Sequence, residues 1–146
     1  VGFEYMEFNV NLCYGLIDSQ LKVLNKILIY VNEMHNSLEV LNWNDVRKLE
    51  MRLLRSWSKF NVGNNSLRSQ LTKLGSLEAE TFIGRLIDIE VVIGSKLSRR
   101  NGYIITILRS ESPDVHLLNN KLDELVSKGV TEGINVLNKL SRFLSK

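Results

Sequence analysis

The sequence predicts a mainly helical chain with a single β-hairpin, an α+β fold, and three observations carry that expectation. Apolar residues recur at steps of three and four over most of the chain, the spacing of one helix face. Around Asn101-Gly102 the period shortens to two, and that dipeptide favours a tight hairpin turn because both central positions need positive φ. The 146 residues are 44% hydrophobic and 24% charged, which suits one domain with one core and excludes a disordered or low-complexity chain.

The first periodic segment, 10–42, places Ile17, Leu21, Leu24, Leu28, Val31, His35 and Leu38 on a four-three seam, a long helix seeking another helix. His35 falls in that seam and reads as a packing histidine. Asn42 to Asp45 breaks the pattern and offers a cap. A second helix follows over 46–60, with Val46, Leu49, Leu53, Trp57 and Phe60 on one side and Arg47, Lys48, Arg52, Arg55 and Lys59 over much of the rest. Residues 61–66 are rich in Asn, Gly and Ser and read as a turn before a short helix at 67–74, which Gly75 stops. Ser76 caps a further helix over 77–90, with Ala79, Phe82, Ile83 and Leu86 inward. The hairpin strands are expected at 91–97 and 103–108. Ser112-Pro113-Asp114 starts the last helical region, 112–146, which Gly129 and Gly133 should kink or divide.

Composition narrows the chemistry. A single cysteine, Cys13, allows no internal disulfide, and with His35 and His116 as the only histidines no Cys/His metal site is expected. Cys13 lies among Val10, Leu12 and Tyr14 and reads as a small buried residue. No glycine motif cradles a phosphate, so neither a cofactor nor an enzymatic activity is expected. No apolar run is long enough to cross a membrane, and the first ten residues carry Glu4 and Glu7 without a basic, apolar leader. The expected place is the cytoplasm, in association with the nucleoid.

The run from Asn65 to Ile93 (NSLRSQLTKLGSLEAETFIGRLIDIEVVI) and the basic segment from Lys96 to Ile107 (KLSRRNGYIITI) together resemble the core of small winged helix-turn-helix transcription regulators of the MarR-like type, including archaeal ones. The resemblance covers roughly residues 45 to 108. It implies a winged-helix core over 43–109 between long N- and C-terminal dimerisation helices, with 77–90 as the recognition helix and 95–107 as the wing.

Charge points the same way. Residues 43–109 carry 12 Lys or Arg against 6 Asp or Glu, whereas the rest of the chain carries 7 against 10. A concentration of cations in the core is what duplex phosphates attract. The leading expectation is therefore a homodimeric regulator that binds double-stranded DNA through Arg68, Thr81, Arg85, Lys96, Arg99 and Arg100. Its dimer would be formed by Ile17, Leu21, Leu24, Leu28 and Val31 packing with Leu122, Leu125, Leu137 and Leu140. Glu78, Glu80, Asp88 and Glu90 fit poorly, since carboxylates on a recognition helix are repelled by phosphates. The alternative is a non-enzymatic helical or winged-helix adaptor whose seams and basic face engage a protein partner in a larger assembly.

Overall fold

A computed structural model describes residues 7–97 and 103–146. Among them there are helices and no strand. The elements are α1 (Val10–Glu39), α2 (Trp43–Thr72), α3 (Leu77–Leu97), a short α4 (Tyr103–Leu108), α5 (Val115–Glu124) and α6 (Thr131–Leu144). A π-helical segment, Leu125–Val130, joins α5 to α6 without a break.

The α+β expectation and its winged-helix core are thereby corrected. Residues 91–97, expected as the first hairpin strand, are the last turns of α3, and 103–108, expected as the second, are α4. The Asn101-Gly102 turn lies outside the described residues. The β-branched run misled because its burial follows the helical period: Leu86, Ile89, Ile93 and Leu97 are buried at steps of three and four while Val91 is exposed. Tertiary packing outweighed local β preference.

Local chemistry sets most of the helix ends. Asn9, Asn42, Ser76 and Asp114 each accept a backbone N–H from three residues on with a side-chain oxygen, at 3.0 to 3.2 Å. Gly75 takes a φ of +63° in the turn between α2 and α3, a conformation that favours glycine.

Contacts between facing residues define the packing. Asn9 N–H donates to Gln70 Oε1, and Arg52 stands over the Tyr30 ring, so α1 and α2 run antiparallel. Trp57 lies against Gly94 while the Asn64 amide donates to Leu86 O, which makes α2 and α3 antiparallel as well. Gly129 faces Ile93 and Gly133 faces Leu24 and Ile89, bringing the α5–α6 rod back between α3 and α1. The result is an antiparallel four-helix bundle whose fourth member is that composite rod. Gly129 and Gly133, expected to weaken the last helix, are what let it approach: a Cβ at either would come within 2.9 Å of Ile93 or Leu24.

Residues 61–66 are the second correction to the expected element order. They form no turn; α2 runs through them for 30 residues. Gln20 of α1 explains why. Its amide donates to Phe60 O and to Asn64 Oδ1, both at 2.8 Å, and Asn64 in turn donates to Leu86 O of α3 at 3.1 Å. Gln20 and Asn64 are both buried. Gly63 leaves the room this needs, because a Cβ there would run into the Gln20 carboxamide. Two residues that read as turn formers are thus a three-helix polar pin.

Gly63→Ala should therefore destabilise the chain by about 2–4 kcal/mol, since the methyl displaces Gln20 and leaves buried polar groups unpaired. Gly84→Ala, on the exposed face of α3 with nothing near its Cβ, should stabilise it by about 0.5–1 kcal/mol. Urea unfolding of the two variants checks both signs at once.

Candidate protein-docking face

Of the expected DNA-contacting residues, Arg68, Thr81, Arg85 and Lys96 are described, and two of these cations are paired within the bundle. Arg68 is half-buried and paired with Glu90 at 2.9 Å, tying α2 to α3. Lys96, with 13% of its side chain exposed, pairs with Glu124 at 2.9 Å and stands over the Tyr103 ring. Thr81 is exposed but its hydroxyl donates to Leu77 O within its own helix. Arg85 is exposed, packs over Phe82, and borders a groove between α3 and α6 with Lys128 and Lys139. Arg99 and Arg100 lie outside the described residues. With 91–97 and 103–108 helical and two of the cations spent on internal carboxylates, the winged-helix route to DNA is withdrawn.

The expected dimer seam is occupied within one chain. Ile17, Leu24, Val31, Leu122, Leu125, Leu137 and Leu140 are all buried, and Leu21 and Leu28 are half-buried against the same core. The seam of α1 is covered by α2 and α6, so it makes no demand for a second copy.

The reactive side-chain types are engaged too. Cys13 is fully buried, and burial pushes its thiol above its ordinary pKa, with the Lys73 ammonium opposing. His35 Nδ1 lies 2.6 Å from Asn119 Oδ1 and its Nε2 3.1 Å from Asp123 Oδ1, so the imidazole fastens α1 to α5. His116 is exposed beside Asn120. Among the described residues no group of three or more His, Cys, Asp or Glu is placed to hold a metal ion, and no helix is long and apolar enough to cross a membrane.

The outer face of α2 is different. Arg47, Lys48, Arg52, Arg55 and Lys59 are all exposed, and none makes an ion pair among the described residues. Glu50, the one acid among them in sequence, is nearly buried and turned toward Arg109 at 3.8 Å, so it does not neutralise the stripe. Met51 and Val62, 45% and 68% exposed, lie on the same face. At one end Glu33 and Asp45 border a shallow cavity of about 430 Å³ with Lys48 and Arg52. Sequence analysis recognised these cations as one side of an amphipathic helix but placed the binding site elsewhere. Their spacing was already legible within the expected 46–60 helix; the helical 61–66 segment adds Val62, Ser66 and Ser69 to the same face.

Charge balance elsewhere is local. Glu124 accepts from Lys96 and from Lys121, 3.5 Å away, and the hydrogen bond from Lys96 holds its carboxyl below the usual carboxylate range. Because the folded-state value is lowered, this group stabilises the fold above the ordinary carboxylate range and loses that contribution as pH falls through the lowered value. The stability difference between the wild type and Glu124→Gln, measured by urea titration at a series of pH values, should accordingly shrink on acidification. Cys13 should react with a thiol reagent only as fast as the chain unfolds, which labelling in increasing denaturant reads directly. Compared with known families, curated proteins and solved structures, the chain gives no match, so its likeness to winged-helix regulators gains no support there.

Proposed function

We propose that this chain is a non-enzymatic helical adaptor that holds a protein partner on the outer face of α2. The observation that carries the reading is the row of five exposed cations between Arg47 and Lys59, none of them in an ion pair among the described residues, with Met51 and Val62 exposed on the same face. A cationic row on a rigid helix steers an acidic partner, and apolar side chains within it add the burial that holds the partner once docked. Cys13 and His35, the residues best suited to covalent or acid–base work, are committed to the core and to the α1–α5 contact.

Two features favour protein over duplex DNA. Met51 and Val62 gain nothing from a phosphate backbone, and Glu33 and Asp45 at the end of the row would repel one.

Reversing the charge of Lys48, Arg52, Arg55 and Lys59 together should abolish partner capture, while reversing Lys128 and Lys139 on the α3–α6 side should leave it intact. Crosslinking from Lys48 and Lys59 followed by mass spectrometry checks the site: crosslinks should converge on one protein species and vanish in the α2 variant. Recovery of nucleic acid in place of protein, or capture indifferent to the α2 reversal, would overturn the reading.

A further inference from the structure

Resting on the docking role of α2, we infer that the occupant of this face is an acidic amphipathic α-helix lying along a four-three seam. The inference comes from register. Lys48, Arg52, Arg55, Lys59, Val62, Ser66, Ser69 and Lys73 succeed one another at steps of 4, 3, 4, 3, 4, 3 and 4, and every one of them is exposed. That is the spacing at which one helix presents a continuous stripe to another. The inward face of α2 carries its own apolar stripe for α1 and α3, so the helix has two seams and the bundle uses only one.

The composition of the outer seam specifies its complement. Four successive positions, 48 to 59, are cations, and the next, Val62, is apolar. Met51 flanks the row between Lys48 and Arg55. From residue 48 to residue 62 the stripe runs about 21 Å at the helical rise, the length of a helix of roughly four turns. A helix laid along it must set carboxylates at four-three spacing against the cations and apolar side chains against Met51 and Val62. An extended acidic segment presents side chains at a period of two and would match only part of the row. Ser66 and Ser69, small and uncharged, let a backbone pass close beyond Val62.

The test uses the whole chain and a synthetic peptide of about five helical turns carrying four Glu at 4-3-4 spacing with leucines on the same stripe. A scrambled peptide of identical composition, with the acids spread around the helix, is the control. A short duplex DNA and vesicles of phosphatidylserine with phosphatidylcholine are the other probes. Fluorescence anisotropy should show the seam peptide binding at least roughly tenfold more tightly than the scramble. Its helicity should rise on binding, and Arg52→Glu with Arg55→Glu should cost at least about tenfold, with the protein's own circular dichroism unchanged.

Equal binding of seam and scrambled peptides overturns the seam while leaving the docking face in place. Binding to DNA or vesicles but to neither peptide overturns both. Val62→Asp supplies a second measure: it should weaken the seam peptide and leave the scramble's residual binding unmoved, and equal effects on the two count against the inference.

Discussion

The hydrogen bonds of Gln20 fix what every other part of the molecule does. One buried amide reaches Phe60 O and Asn64 on α2, and Asn64 carries the link on to Leu86 of α3. Leucines alone would let three antiparallel helices slide by a turn at little cost, because one apolar ridge fits the next groove nearly as well. A buried amide tolerates no such slip, since an unpaired polar group in the core costs about 1–3 kcal/mol. Gly63 is the steric half of the same device: it is the gap through which Gln20 passes. The pin also keeps α2 helical through a segment whose local preferences favour a turn.

That continuity decides what the surface of α2 can be. Were the chain to turn at residues 61–66, Lys48 to Lys59 would end as a patch on a short helix, and Val62, Ser66 and Ser69 would point elsewhere. With the helix unbroken for 30 residues, they share one stripe with the cations. A core interaction between Gln20 and Asn64 therefore sets the length and register of a surface feature on the other side of the helix. The α1–α2 turn at Leu41 and the α2–α3 turn at Gly75 mark the two ends of that surface.

Much of this was legible in the residues alone. The caps at Asn42 and Ser76 follow from side-chain chemistry, and the α1 seam holds at Ile17, Leu24, Val31 and Leu38. But Gln20, Ile27 and Met34 are buried where Leu21, Leu28 and His35 were expected, and Leu122, Leu125, Leu137 and Leu140, expected between two chains, are buried within one. Three further readings failed, each for a stated physical reason. Residues 91–97 open on the β-branched run Val91-Val92-Ile93, which imitates a strand, but their buried members, Ile93 and Leu97, keep the helical period. Asn64 and Gly63 carry the composition of a turn, yet they serve a partner 44 residues away, which no local pattern reveals. Arg68 and Lys96 read as free cations because their carboxylates, Glu90 and Glu124, are distant in sequence. The cations of α2 were visible throughout; what was missing was the continuity that adds Val62, Ser66 and Ser69 to their stripe.

The outer stripe also has a cost, and the cost bears on its use. Lys48 with Arg52 and Arg55 with Lys59 are like charges four residues apart on one helix, an arrangement that destabilises by a few tenths of a kcal/mol per pair. The helix bears this because its inward residues, Leu49, Leu53, Phe60, Leu67 and Leu71, are packed in the core. Among the described residues no acid forms an ion pair with the stripe, and Arg52 stands over the Tyr30 ring. An acidic helix laid on the stripe would turn that repulsion into attraction. The relief exists only in the folded chain, where the pin holds the four cations in line, so by linkage a bound partner stabilises the fold that presents it. The same interaction that fixes the bundle's register would thus couple binding of such a helix to the chain's stability.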